Sequence, residues 1–107
     1  MIPLIIPSYE PDERLLHLLN ALKDYPSGPV LLVNDGSGPA YQTFFDQAKD
    51  LLPDKLISLS HEVNRGKGRA LKTAFSYVKE HFPDAVGCVT ADSDGQHSAA
   101  AIQSIAQ

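Results

Sequence analysis

The segment Val86-Gly87-Cys88-Val89-Thr90-Ala91-Asp92-Ser93-Asp94-Gly95-Gln96-His97 joins an apolar run to a polar turn. The apolar run, residues 86–91, predicts a buried strand, and Ser98 is a suitable N-cap for a helix over residues 98–107. The polar turn therefore begins where a strand ends. A strand followed by a polar loop and a helix is the unit that repeats through the chain and predicts its fold.

Three more units of this kind precede that segment. Apolar runs at residues 2–6, 30–33 and 55–60 predict strands. Each is followed by a polar loop and then by apolar residues at helical spacing, with Pro11 and Pro39 suited to first helical positions. Strands that alternate with helices indicate a parallel sheet with right-handed crossovers. The predicted fold class is α/β, a four-stranded β-α-β-α-β-α-β three-layer sandwich.

Composition narrows the classes of function that fit the chain. A length of 107 residues suits one small domain, and a net charge of −4 argues against a nucleic-acid-binding surface. A nucleotide held through a metal ion is compatible with that charge. The single cysteine, Cys88, lies in an apolar run and favours a buried thiol and a cytoplasmic setting. The first apolar run is too short for a signal peptide or a membrane span.

Polar loops follow all four predicted strands, at residues 7–10, 34–38, 64–68 and 92–97. Ligands bind outside the carboxyl ends of the strands in open parallel sheets, so these loops should share one rim. Asp35 could accept hydrogen bonds from a ribose or a base, or it could form an Asx turn. The third loop precedes a helix and carries Arg65, Lys67 and Arg69, which favours a diphosphate; a solvated basic loop is the alternative. His61 could also reach the rim, although nothing in the sequence specifies its role.

An acidic pair lies in the fourth loop. Asp92 and Asp94 are one residue apart, so in an extended segment both carboxylates point to the same side. Such charges repel unless a cation lies between them, and Mg²⁺ or Mn²⁺ prefers oxygen ligands of this kind. Gln96 adds a neutral oxygen. The alternatives are an ordinary surface turn, or a calcium loop, which fails the EF-hand pattern because its twelfth position is Gln103.

The four loops together resemble those of the family 2 glycosyltransferases, whose nucleotide-sugar-binding half has the Rossmann-like GT-A arrangement. The matching segments are residues 6–10, 33–37, 64–70 and 92–97. The last two are particularly similar to the polyprenyl-phosphate sugar transferases, such as the dolichyl-phosphate glucose and mannose synthases. Each segment is a weak signal, whereas the ordered set of four is specific.

The resemblance implies transfer of a sugar from a nucleoside diphosphate sugar, generally with inversion, to an acceptor such as a polyprenyl phosphate. It implies a divalent metal, Mg²⁺ or Mn²⁺, held by Asp92, Asp94 and Gln96. The substrate-binding residues that it implies are Pro7, Tyr9, Glu10, Asp35, Asn64, Gly66, Lys67, Asp92 and Ser93.

Members of the family continue well beyond the fourth loop, with an acceptor-binding half, a carboxylate base and a Gln-x-x-Arg-Trp-like element. This chain contains no Trp. We therefore expect residues 1–107 to be the donor-binding portion of a longer enzyme, inactive alone, with its catalytic base beyond residue 107. The full-length enzyme would act in the cytoplasm, at the inner face of a membrane where its acceptor is lipid-linked. The alternative is a non-catalytic nucleotide- or metal-binding module.

A truncated sheet should leave the edge of the fourth strand or an apolar patch exposed, which favours self-association. We predict that the isolated chain forms dimers or larger species as its concentration rises. Size-exclusion chromatography across a dilution series measures this. A single monomer peak at high concentration would contradict the prediction.

Overall fold

The computed structural model describes residues 1–92 and the strand at residues 103–104. The elements are β1 (Leu4–Ser8), α1 (Glu13–Ala21), β2 (Val30–Asp35), a short 3-10 turn (Pro39–Tyr41), α2 (Gln42–Leu51), β3 (Leu56–His61), α3 (Lys67–His81), β4 (Val89–Thr90) and β5 (Gln103–Ser104). They form one sheet of strand order β3-β2-β1-β4-β5. Among the described residues, no helix is long and apolar enough to cross a membrane.

The predicted α/β fold is confirmed, because β1 to β4 pair in parallel and the helices lie between successive strands. The fourth strand is shorter than predicted, covering Val89–Thr90 rather than residues 86–91. The predicted C-terminal helix is wrong at residues 103–104, which form β5 antiparallel to β4; the other residues of that helix lie outside the described part. The edge of β4, which the sequence analysis expects to be exposed, is therefore paired with β5 over these two residues, because sheet hydrogen bonds outweigh local helix propensity there.

Helices cover both faces of the sheet, as the three-layer prediction requires. On one face, Leu4 and Ile6 of β1 pack in the same buried cluster as the leucines of α1 and Phe45 of α2. On the other face, Ile5 packs with Leu31 and with the small buried residues of α3. Because both faces are buried, these strands are continuous apolar runs rather than alternating ones. Cys88 belongs to the second cluster, and its burial raises the pKa of its thiol.

The loop between β1 and α1 extends further along the chain than the sequence suggests. Pro11 is predicted to be the first helical residue, whereas α1 begins at Glu13 with Asp12 as its N-cap. The Asp12 carboxylate accepts a hydrogen bond from the Arg14 backbone N–H at 2.9 Å. This satisfies one of the free amides of the first turn, and it leaves residues 9–12 as a loop above the sheet.

Close backbone contact joins the loop after β2 to the loop after β3. Gly36 has a φ of 72°, and a Cβ there would lie 2.2 Å from the Val63 carbonyl carbon and from the Asn64 nitrogen. Only glycine has room at this position. Gly38 also has a positive φ, 82°, but a Cβ added there would meet no described atom within 4 Å. Gly36 therefore allows the approach that brings Asp35 next to Asn64.

We predict that Gly36→Ala destabilises the fold by more than about 3 kcal/mol, because it adds a backbone clash to a left-handed conformation. Gly38→Ala is the matched control, since at a φ of 82° and a ψ of 166° it meets only the conformational cost of about 1–3 kcal/mol. Urea unfolding of both variants measures the difference. Equal losses of stability would contradict the close approach of the two loops.

Candidate functional site

The carboxyl ends of β1, β2 and β4 open onto one pocket. Its volume is about 390 Å³. Side chains contribute to it from the end of β2, from the start of α3 and from the loops after β1, β3 and β4, as expected for the carboxyl edge of a parallel sheet. The lining residues are Pro7, Ser8, Tyr9, Glu10, Pro11, Asp12, Arg14, Asp35, Asn64, Lys67 and Asp92.

The pocket gathers most of the substrate-binding residues predicted from the sequence. These are Pro7, Tyr9, Glu10, Asp35, Asn64, Lys67 and Asp92. Gly66 is not among the lining residues, but its backbone N–H donates to Asp35 at 2.9 Å. Ser93, Asp94 and Gln96 lie outside the described residues. The expectation that the polar loops share one rim agrees with this arrangement; the binding roles of the individual residues stay predictions.

Asp35 is the most heavily hydrogen-bonded side chain of the site. It is 2% exposed. Its Oδ1 accepts from His61 Nδ1 at 2.8 Å and from the Arg65 backbone N–H at 2.9 Å. Its Oδ2 accepts from Asn64 Nδ2 at 3.1 Å and from the Gly66 backbone N–H at 2.9 Å. The carboxylate therefore ties the loop after β3 to the end of β2.

These hydrogen bonds keep Asp35 ionised. Burial opposes the charged form, but the bonds from His61, Arg65 and Gly66 outweigh it and lower the pKa of Asp35 below its ordinary value of 3.8. At neutral pH the carboxylate accepts hydrogen bonds and donates none. His61 Nδ1 must therefore carry the proton in the bond between them.

His61 is the residue of the site whose role the sequence leaves open. It ends β3, and it pairs in register with Asp35 at the end of β2. Neighbouring residues in register on parallel strands project from the same face of the sheet. The sequence signal for His61 was a titratable residue at the end of the predicted strand that follows Asp35. To link the two residues, one must also know that β2 and β3 are neighbours in the sheet.

The loop after β1 is held in a strained conformation. Glu10 has a φ of 48°, the one positive value of a non-glycine residue within the described chain. Its backbone N–H donates to Ser37 Oγ at 2.9 Å, and Ser37 N–H donates to Asn34 Oδ1 at 3.0 Å. These bonds fix the first loop on the second and offset the strain. The neighbouring Tyr9 is 50% exposed, and its hydrogen bond with Glu10 raises its pKa.

Ser8 lies at the base of the pocket. It is 2% exposed, and among the described residues its Oγ has no hydrogen-bond partner. Buried hydroxyl groups are usually paired, because an unmade hydrogen bond is costly. An unpaired hydroxyl beside a pocket is consistent with a polar ligand that approaches it.

An ion pair joins two of the loops across the pocket. Lys67 Nζ donates to Asp92 Oδ1 at 2.7 Å, linking the first residue of α3 to the end of β4. The two side chains are 62% and 32% exposed. Such a pair contributes only about 0–1 kcal/mol, so a charged ligand can replace it.

Of the three predicted metal ligands, Asp92 is the one that lies within the described residues. Within residues 1–92 and 103–104, no group of three or more His, Cys, Asp or Glu side chains is arranged to hold a metal ion. Asp92 offers one carboxylate that already faces the Lys67 ammonium. Asp94 and Gln96, the other predicted ligands, lie outside the described residues.

Comparison with known proteins gives one family. The sequence profile described as glycosyl transferase family 2 matches residues 4–107. No curated protein matches the chain.

Solved structures of S. aureus TarS share the fold. The crystal structure of TarS 1-349 is 24% identical, with a TM-score of 0.67 over 87% of this chain and 27% of that one. TarS 1-349 in complex with UDP gives 24% identity and a TM-score of 0.67 over 88% and 28%. A longer TarS chain gives 24% and 0.66 over 87% and 16%. The chain thus spans only 27% of the shorter TarS chain, and at this identity the likeness shows the fold.

We predict that Asp35 makes the free energy of unfolding depend on pH in the acidic range. Its pKa is lowered by folding, so its contribution is complete above its ordinary value of 3.8 and is lost as the pH falls through the lower folded value. Asp35→Asn should remove this loss, and at neutral pH it should cost about 1–3 kcal/mol because one amide oxygen replaces two acceptors.

Urea unfolding from neutral pH down to about pH 2 tests this prediction. Asp50→Asn, at an exposed position of α2, is the matched control and should behave as wild type. Parallel acid destabilisation of the wild type and Asp35→Asn would contradict the assignment.

Proposed function

Because the chain belongs to glycosyl transferase family 2, we propose that it forms the donor-binding part of an enzyme that transfers a sugar from a nucleoside diphosphate sugar to an acceptor. The observation that carries the proposal is the pocket at the carboxyl ends of the strands. It is lined by polar side chains of both charges, which come from several loops. The structure of TarS in complex with UDP, which has a similar fold, supports a nucleoside diphosphate as its occupant.

The nucleoside end of the donor is assigned to the loop after β1. Tyr9 is an exposed ring beside the pocket, and Pro7 adds an apolar surface, so both suit a planar base. Glu10 carries an exposed carboxylate that suits ribose hydroxyl groups. Ser8, whose hydroxyl has no hydrogen-bond partner within residues 1–92, is a further candidate contact at the base of the pocket.

Asp35 would contribute to the nucleoside site mainly through the loops that it holds. Both of its oxygens already accept two hydrogen bonds. A hydroxyl or N–H group of the nucleoside that donates to Asp35 would therefore have to share an oxygen with one of these hydrogen bonds or displace it. Asn64, which donates to Asp35 and lines the pocket, is the donor best placed to exchange its partner for a ligand.

The diphosphate is assigned to the first turn of α3. The helix begins at Lys67 after Gly66, and its free N-terminal amides and dipole favour an anion. Lys67 places its ammonium at the pocket, where a diphosphate can compete with Asp92 for it. The exposed ion pair would then open as the donor enters.

A divalent metal, Mg²⁺ or Mn²⁺, is proposed beside the diphosphate, with Asp92, Asp94 and Gln96 as its ligands. Asp92 fits this role because its carboxylate is a hard oxygen donor that already faces a cation at the pocket. One carboxylate is too few ligands, so the proposal requires Asp94 and Gln96 to complete the set. When bound, such a metal offsets the charge that develops on the departing diphosphate.

We propose that the residues that bind the acceptor and the catalytic base belong to a part of the enzyme outside residues 1–107. The isolated chain would then bind a nucleotide sugar without transferring its sugar. A polyprenyl phosphate is the acceptor that the resemblance suggests, which would bring the full-length enzyme to the inner face of a membrane. An ionised phosphate acceptor needs a base less than a hydroxyl acceptor does. Inversion at the sugar carbon is part of the same proposal.

A second candidate function is a nucleotide-binding module without metal or transfer. The observation in its favour is that the described residues contain no group of three or more His, Cys, Asp or Glu side chains arranged to hold a metal ion, while the Lys67 ammonium already occupies one oxygen of the Asp92 carboxylate. The two candidates differ in whether a divalent cation changes nucleotide affinity.

We predict that the chain binds UDP or GDP more tightly with Mn²⁺ than without it. Asp94→Ala should weaken the Mn²⁺-dependent binding by about tenfold or more, because it removes a charged ligand of the metal. Isothermal titration calorimetry with each nucleotide, with and without Mn²⁺, measures both effects. Asp54→Ala, at an exposed position before the amino end of β3 and so at the opposite end of that strand from the pocket, is the control and should bind as wild type.

Each contrary result has a definite meaning. Nucleotide affinity that is independent of Mn²⁺ would favour the module without metal. Normal Mn²⁺-nucleotide binding by Asp94→Ala would show that the metal assignment is wrong. Mn²⁺ binding without any effect on nucleotide would favour a calcium-type loop.

A further inference from the structure

His61 makes a second hydrogen bond on the side of its ring that faces away from Asp35. Its Nε2 lies 2.8 Å from Thr73 Oγ1, in the second turn of α3. The His61 side chain is 9% exposed. A continuous chain of three side chains, Asp35, His61 and Thr73, therefore joins the end of β2, the end of β3 and the helix that starts at the pocket.

The direction of each proton in this chain follows from chemistry. Ionised Asp35 can only accept, so His61 Nδ1 carries the hydrogen between them. In the neutral imidazole, Nε2 is then an acceptor and takes the hydroxyl hydrogen of Thr73. A helical threonine usually donates to a backbone carbonyl one turn earlier. Here the Thr73 hydroxyl bonds to His61, so it connects α3 to the sheet and does not form a hydrogen bond within the helix.

We propose that His61 and Thr73 are positioning residues for the nucleotide pocket. Among the residues that the structure describes, neither lines the pocket, so they act through Asp35. By fixing the Asp35 carboxylate, they set the positions of the Arg65 and Gly66 amides that it accepts from. Arg65 and Gly66 immediately precede Lys67, so the position of their amides also sets the position of Lys67 at the pocket. This inference rests on the proposed function of the pocket.

The loop after β3 depends on polar contacts more than the rest of the fold does. Residues 62–65 are all exposed, and Val63 is 60% exposed. By contrast, α3 is anchored by Ala70, Ala74 and Val78, which are buried in the core. Loss of the Thr73 hydroxyl should therefore leave α3 docked while the loop before it becomes less well fixed.

Thr73→Val tests the proposal, because it removes the hydroxyl and keeps the shape of the side chain. Thr73→Ser retains the hydroxyl and should restore the wild-type behaviour. Thr43→Val makes the same change at an exposed position of α2 and is the matched control. All variants are studied in the full chain.

The first measurement needs no ligand. Two-bond ¹H–¹⁵N spectra, recorded at a pH where they show the His61 ring to be neutral, should identify wild-type His61 as the Nδ1–H tautomer, the less common form of a neutral histidine. In Thr73→Val, amide hydrogen exchange at Arg65 and Gly66 should become about three- to tenfold faster, the effect of losing one hydrogen bond. Exchange in β1 should not change. Unchanged exchange at both loop amides, or an Nε2–H tautomer, would overturn the inference.

The second measurement is UDP affinity by calorimetry in the presence of Mn²⁺. Thr73→Val should bind about three- to tenfold more weakly, and Thr73→Ser and Thr43→Val should bind as wild type. Equal affinity of Thr73→Val and the wild type would overturn the inference. Failure of the wild type to bind, with loop exchange responding as expected, would instead overturn the proposed function and support the positioning chain.

His61→Asn provides a second route should Thr73→Val fail to fold. Its amide nitrogen can take the place of Nδ1 and donate to Asp35, but it leaves Thr73 without its acceptor. The same faster exchange at Arg65 and Gly66 and the same weaker UDP binding are expected. Wild-type exchange and affinity in a folded His61→Asn protein would overturn the inference.

Discussion

The buried carboxylate of Asp35 is the interaction on which the pocket depends. A buried charge is tolerated only when its hydrogen-bonding capacity is satisfied. Here four donors from one neighbouring strand end and its loop satisfy it. Because these donors come from residues distant in sequence, the same contacts that stabilise the charge also fix the loop after β3 against β2. The position of the start of α3, the end of the helix to which we assign the diphosphate, follows from these contacts.

The pocket combines a rigid base with more exposed contacts at its edge. Beneath the pocket, Gly36 packs against the backbone of the loop after β3, and Asp35 is almost inaccessible to solvent. At the edge, Lys67 and Asp92 form a partly exposed ion pair that contributes little to stability. A ligand can therefore replace the edge contacts without disturbing the base. This arrangement suits a site that must admit and release a charged substrate.

Most of the fold follows from local sequence patterns. The continuous apolar runs of β1 and β2 indicate strands buried on both faces, and the alternation with helices indicates a parallel sheet. The patterns fail where pairing is non-local. Residues 103–104 have an acceptable helical sequence, yet they pair with β4 because its edge offers unsatisfied backbone groups. The length of β4 is likewise not readable from the local sequence, because it is set by pairing with β1 over two residues.

The order of the elements and the four polar loops follow from the sequence alone, because strand and loop signals are local. The sequence also puts Asp35 in a loop after a strand, and it leaves open whether that residue binds a ligand or shapes a turn. The role of Asp35 as a buried acceptor for His61 and for the loop after β3 is visible only in the folded protein. These partners meet through the register of β2 with β3 and the close approach at Gly36. Both depend on how strands are arranged in space, which no short stretch of sequence specifies.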